Sequence, residues 1–205
     1  MLQLVKNALK YKDRRAIIAD GQGYSYQELL DASADFAAIL LEGKEDLLET
    51  RVAFMVSPSF DYVRVQWAIW RSGGVAMPLC ISYPLPSLQY VIEDTGAEIV
   101  VASAEYVDIL APLAKEKGFR FNILEKEETA HHEVSNLVLP NIEATRRAMI
   151  LYTSGTTNLP KGVVTTHNNI EAQVSTLVKS WHWSADDHIF VHLAAAPCSW
   201  HHQCH

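Results

Sequence analysis

Between residues 151 and 163 the chain reads Leu-Tyr-Thr-Ser-Gly-Thr-Thr-Asn-Leu-Pro-Lys-Gly-Val, and the residue types there suit the holding of an anion. The hydroxyl residues Thr153, Ser154, Thr156 and Thr157 surround Gly155, and Asn158 follows them. Pro160 stiffens the exit and Lys161 brings the only charge. Polyphosphate needs many hydrogen-bond donors converging on clustered negative oxygens. Backbone N–H groups in a tight turn of small residues form such a nest. Gly155 lets the main chain approach closely and take positive φ, and Lys161 supplies a point charge. Mg²⁺ would share the phosphates, because it usually binds through them rather than in an all-protein cage.

The pattern is not a Walker A loop, which needs a Gly, four residues, then Gly-Lys-Ser/Thr leading into a helix. Here Gly155 stands six residues before Lys161, and Gly162 and Val163 follow. A strand is expected next, so a helix dipole aimed at the phosphate is not the expected device. On composition alone, a polar hairpin loop with no ligand fits equally well, since Ser/Thr-rich turns are common.

The elements that must position this loop show in the apolar pattern. Leu2, Val5 and Leu9 recur at helical spacing. Residues 16–19 read as a strand, and Asp20 to Gly23 as the turn after it. Ser25 and Glu28 form a capping box, with Leu29, Ala32, Phe36 and Leu40 on the buried face of a helix running to Glu42. Residues 51–56 are a continuous apolar run, the pattern of a strand buried on both faces. Ser59 caps a helix through Phe60, Val63, Trp67 and Trp70 that ends at Gly73-Gly74. Large apolar residues at helical spacing indicate core packing rather than a cofactor role.

Residues 75–79 form another strand, 82–86 a loop, and Leu88, Val91 and Ile92 a helix stopped by Gly96. Strands follow at 98–102 and 119–124. The helix between them is capped by Ser103, and Pro112 predicts a kink or an early stop in it. Residues 125–141, charged and rich in Glu and His, read as a surface connection. Strands are expected at 148–152, 162–166 and 187–191, with a helix opening at His167-Asn168-Asn169 and running to Lys179. Fully apolar strands alternating with helices predict an α/β fold, a mostly parallel sheet flanked by helices on both faces.

Composition narrows the function classes. The chain has 205 residues, 49% of them hydrophobic, and a formal charge of −7. A substantial core is available and disorder of the whole chain is excluded. The negative charge argues against a nucleic-acid binder. Cys80, Cys198 and Cys204 are too few for a disulfide framework, so a reducing compartment is expected. No signal peptide or transmembrane segment is legible. The cytoplasm is the default location, with mitochondrion or plastid if a longer precursor exists.

Residues 152–163, with Thr166-His167 just beyond, closely resemble the phosphate-loop signature of the adenylate-forming, AMP-binding enzymes: acyl-CoA synthetases, luciferases and non-ribosomal peptide adenylation domains. Residues 24–29, 51–54, 70–79 and 88–97 are also similar to this family, so the resemblance covers about residues 10–192. The Trp70-Arg-Ser-Gly-Gly-Val-Ala76 segment is most similar to the malonyl-CoA synthetase branch (acyl-CoA synthetase family member 3-like).

The resemblance implies a two-step ligase using ATP, Mg²⁺ and coenzyme A as co-substrate. A carboxylic acid, malonate or another short one, attacks the α-phosphorus of ATP to give an acyl-adenylate and pyrophosphate, and the thiol of coenzyme A then displaces AMP. The residues matching the family's loop, Thr153, Ser154, Gly155, Thr156, Thr157, Asn158 and Lys161, are thereby expected to grip the β- and γ-phosphates.

Two departures qualify this. The family usually has Gly where this chain has Asn158, whose side chain would crowd a phosphate although Asn tolerates left-handed backbone. After Val191 the sequence diverges from the family pattern. Residues 1–192 are therefore read as the N-terminal portion of the ligase domain, and 193–205 as a divergent, disordered tail from altered splicing, a frameshift or an imperfect gene model. The family's adenine- and ribose-binding segments, hinge and C-terminal domain with its catalytic Lys have no counterpart here. No catalytic residue is assigned, and catalysis by this chain alone is not expected. The alternative is a non-catalytic nucleotide- or partner-binding fragment. Cys198, His201, His202, Cys204 and His205 are zinc-ligand types, but their crowded spacing favours incidental residues of the tail. His167 either faces the site or starts a helix.

Overall fold

The computed structural model describes residues 2–124, 138–153 and 160–189. Helix α1 (Gln3–Lys10) precedes a hairpin of β1 (Arg15–Ala19) and β2 (Gln22–Ser25). The turn expected over Asp20 to Gly23 is tighter than that. Asp20 and Gly21 alone make it, at φ 51° and 79°, and Ala19 already faces Gln22. Two consecutive positive φ values match the right-handed twist of a hairpin, which is why Asp-Gly suits the corner.

Ser25 then caps α2 (Tyr26–Leu41) with the predicted box: Glu28 N–H donates to Ser25 Oγ at 3.2 Å and Ser25 N–H donates to Glu28 Oε2 at 2.6 Å. Alternating units follow: β3 (Arg51–Met55), α3 (Phe60–Arg71), β4 (Val75–Pro78), α4 (Leu85–Thr95), β5 (Ile99–Ser103), α5 (Val107–Lys117) and β6 (Arg120–Leu124). After residues 138–146 come β7 (Arg147–Thr153), β8 (Lys161–Thr166) and α6 (His167–Ser180).

The main sheet has the order β6-β5-β3-β4-β7-β8. Its pairs are parallel except for β7 with β8, which is antiparallel. Side chains alternate between two cores, as the period of two requires. On one face Val52, Phe54, Ala76, Val101 and Ala148 pack with α1, α2 and α3. On the other Ala53, Met55, Met77, Val100, Ile150 and Tyr152 pack with α4 and α5. The expected α/β fold with helices on both faces is therefore present.

Local readings needed correction where tertiary contacts or local chemistry won. The loop over 82–86 ends early, because α4 starts at Leu85 with Pro86 in its first turn, where a missing N–H costs nothing. Ser103 makes no side-chain cap; a 3₁₀ turn (Ala104–Tyr106) intervenes before α5. Pro112 neither stops α5 nor shortens it, since Leu110, Leu113 and Ala114 around it are buried against the sheet. Asp187 to Ile189 are not a strand. The remaining two residues of that expected strand, most of the 125–141 connection and the whole 193–205 tail lie outside the described residues.

Candidate functional site

The parallel strands β3, β4, β5, β6 and β7 all end at one edge of the sheet, and the signature leaves from β7 at that carboxyl edge. This is where open α/β sheets hold ligands. Thr153 pairs directly with Lys161 across the β7–β8 hairpin. Directly opposed residues in an antiparallel pair lie on the same face with Cβ atoms about 5 Å apart. The fold thus brings the first and last predicted loop residues side by side. Ser154, Gly155, Thr156, Thr157 and Asn158 lie outside the described residues. Lys161 is exposed and makes no ion pair with a described residue, so its ammonium suits an incoming anion. A strand follows it, as expected, and no helix N-terminus.

Gly162 sits opposite Tyr152, and a Cβ there would come within 3.0 Å of Ile150 Cγ2 and 3.3 Å of the Tyr152 ring. The glycine after Lys161 is thus a packing requirement: it lets the Tyr152 ring lie against the hairpin. Tyr152 is 6% exposed, and its hydroxyl donates to Asp94 Oδ2 on α4 at 2.5 Å. Burial first, and then the Asp94 carboxylate, push the phenol's pKa up. One turn earlier on α4, Tyr90 Oη donates to Pro160 O at 3.4 Å.

The opposite end of the hairpin is held by charge. Arg146 clasps Asp46 through both Nη atoms, at 2.6 and 2.9 Å, and also donates to Gly73 O at 2.7 Å. Gly73 takes φ 83°, and a Cβ there would meet Asp46 Oδ1 at 2.0 Å. The Gly73-Gly74 stop is a Schellman close, with Gly74 N–H donating to Ile69 O and Gly73 N–H to Trp70 O. Arg147 grips Glu49 with its backbone N–H and its side chain, both at 2.6 Å. Trp70 Nε1 donates to Ala148 O at 2.7 Å. The Arg partners hold the carboxyls of Asp46 and Glu49 below their ordinary range.

His167 opens α6 behind the Thr166–Asn169 capping box. Its ring is 8% exposed and stands edge-on to Trp70, with centroids 5.8 Å apart. Burial, with Arg146 nearby, pushes its pKa down to about 4. It lies just past the end of β8 away from Lys161, six residues and so about 20 Å along the chain. It therefore starts a helix and does not face the loop. Sequence reasoning missed Asp94, Tyr90, Asp46 and Arg146. The first two lie in the 88–97 stretch that resembled the family, and their i, i+4 spacing placed them on one face of a helix without saying what that face meets. Among the described residues, no three His, Cys, Asp or Glu gather as a metal site.

The family model for AMP-binding enzymes matches residues 4–205. The chain belongs to that family. It is 39% identical over 192 residues to the mitochondrial malonate–CoA ligase ACSF3 of Bos taurus, covering 89% of this chain and 32% of that one. The Mus musculus counterpart is 40% identical over 195 residues, covering 91% and 33%. The crystal structure of ATP-bound MatB from Rhodopseudomonas palustris superposes with a TM-score of 0.75 at 30% identity, over 91% of this chain and 39% of that one. The chain thus spans about a third of the length of the curated relatives it matches. The family member's fold and the malonate–CoA ligase likeness agree with the sequence resemblance. Among the described residues, no helix is long and apolar enough to cross a membrane.

Proposed function

We propose that this chain carries the triphosphate-binding part of an ATP-dependent acid–CoA ligase acting on malonate or another short carboxylic acid. The observation that carries the reading is the pairing of Thr153 with Lys161 at the carboxyl edge, framing the signature loop. Thr153, Ser154, Gly155, Thr156, Thr157, Asn158 and Lys161 bind the β- and γ-phosphates. Holding the leaving pyrophosphate in place, with charge facing it, favours the attack of a carboxylate oxygen on the α-phosphorus, so positioning and electrostatics are the terms supplied here. Mg²⁺, held through the phosphates, would screen their mutual repulsion. The thiol of coenzyme A would enter in the second step, in which AMP leaves. Malonate is favoured because the ACSF3 relatives are malonate–CoA ligases. The mitochondrion is the proposed location because those relatives are mitochondrial.

Calorimetric titration of the chain with MgATP tests the reading. Binding is expected, and Lys161→Ala should weaken it at least tenfold. Absence of binding, or unchanged affinity in the variant, overturns it. Asn158→Gly is expected to tighten binding if the amide crowds a phosphate. Malonate-dependent pyrophosphate exchange then separates ligase from binding module: exchange supports catalysis by the chain, and binding without exchange supports the non-catalytic reading. One observation favours the latter, since Val163, Val164, Val174 and Trp181 on and beside β8 and α6 are 48%, 50%, 49% and 62% exposed and leave an apolar surface for a partner.

A further inference from the structure

The hairpin that presents the loop forms the margin of the sheet. The β4–β7 ladder registers one pair, Ala76 with Met149, where β3–β4 registers four. No described strand pairs with the outer side of β8. The fastenings of Arg146, Arg147 and Trp70 lie at the far end of the hairpin, so the end that carries Thr153 and Lys161, with no described strand on its outer side, is reached by other contacts. Something else must aim Thr153 and Lys161.

Helix α4 meets both strands at that end. Asp94 accepts the Tyr152 hydroxyl proton at 2.5 Å, on the β7 side. Tyr90 donates to Pro160 O at 3.4 Å, just before β8. These two residues are one helical turn apart and so point the same way. The helix behind them is anchored by fully buried Leu88 and Ile92, which makes α4 a rigid base. Alternation along β7 also matters. Tyr152 belongs to the α4 face, so Thr153 and its partner Lys161 project from the opposite face. The Asp94 carboxylate is thereby kept off the face that carries the lysine, and neither neutralises the ammonium nor repels an anion there. The Tyr152 ring lying against Gly162 couples the two strands, so one hydroxyl bond constrains both.

We propose that Asp94 and Tyr90 are positioning residues for Thr153 and Lys161, acting through Tyr152 and Pro160, with Asp94 the stronger of the two. This rests on the reading of the signature loop as the triphosphate site. A charge-assisted bond in a partly buried setting orients more firmly than a neutral one, whereas the Tyr90 contact is long. Removing the Tyr152 hydroxyl or the Asp94 charge should free the loop's root without unfolding the sheet.

The test uses the whole chain as Tyr152→Phe, Asp94→Asn and Tyr90→Phe variants, with two readouts. The first is amide hydrogen exchange without ligand. Exchange at residues 151–153 and 161–163 should rise about tenfold in Tyr152→Phe and Asp94→Asn, and less in Tyr90→Phe, while β3 and β5 keep their protection. The second is titration with Mg²⁺ and inorganic tripolyphosphate, where affinity of the folded variants should fall about tenfold in the same order. Unchanged exchange at the root overturns the positioning role, as does a uniform rise across the sheet, which would mark a merely structural bond. Raised exchange with undiminished tripolyphosphate affinity also overturns it. If the unsubstituted chain binds no tripolyphosphate, the phosphate reading fails while the exchange data still decide whether α4 aims the loop.

Discussion

The centre of the sheet and its β7–β8 margin are held by different physics. In β3, β4 and β5 the ladders register four or five residues each, and Val52, Ala53, Phe54, Val75, Ala76 and Met77 are wholly inaccessible. Burial on both faces makes that region insensitive to any single polar contact. The margin has one bridge to β4, an exposed outer strand, and a set of side-chain fastenings: Arg146–Asp46, Arg147–Glu49, Trp70–Ala148 and Tyr152–Asp94. The contrast teaches that the part nearest the proposed chemistry is positioned by directional bonds, and the part that bears it by non-directional burial.

Breaking the centre should have the largest effect. Phe54→Ala removes a fully buried ring and should cost about 3–5 kcal/mol in global stability, read as a fall in the urea midpoint. A drop below about 1 kcal/mol would mean that the centre is not the main source of stability. At the margin, Arg146→Ala strands Asp46, whose side chain is only 22% exposed, and should cost roughly 2–4 kcal/mol. Its distinguishing sign is loss of exchange protection in β7 and β8 before β3. Simultaneous loss in all strands would erase the distinction drawn between the two regions.

Acid should also attack the margin first. His167 protonates at about 4 in the folded chain, against an ordinary 6.5. As pH falls, the unfolded chain takes up the proton first, so stability present above 6.5 is lost between 6.5 and 4. The amount is on the order of 2–3 kcal/mol. Asp46 and Glu49 have depressed pKa values, so their contribution persists lower and goes only as pH drops below their ordinary values and through the folded ones. Urea midpoints between pH 7.5 and 4.5 should fall in the unsubstituted chain and flatten in His167→Phe; an equal slope in both removes His167 as the cause. The smallest effect belongs to Val163→Thr. At 48% exposure it should change stability by less than about 0.5 kcal/mol, and a larger loss would show that the outer strand is covered in solution.

Much of this architecture was legible because it depends on local rules. The Ser25–Glu28 box, the Ser59 cap and the Gly73 and Gly96 stops are set by residues a few positions apart, and the structure holds them where the sequence placed them. The apolar run from Arg51 announced a strand buried on both faces. The early stop offered for Pro112 does not occur, since a local prohibition yields when Leu110 and Leu113 on either side of it are buried. His167 was ambiguous because a histidine at a helix start and one at a site have the same neighbours in sequence; only packing against Trp70 separates them.

The order of residues from Tyr152 to Val163 determined the chemistry proposed through its resemblance to the adenylate-forming signature, since hydroxyls, glycine and one lysine by themselves suit clustered phosphate oxygens and an empty polar hairpin equally while excluding a Walker motif. Tertiary structure decided how that loop is aimed. Tyr152 meets Asp94 across 58 residues of chain and Arg146 meets Asp46 across 100, separations that no local pattern encodes. Those contacts exist because the parallel crossovers return each strand to the same edge, and that return is a property of the folded sheet.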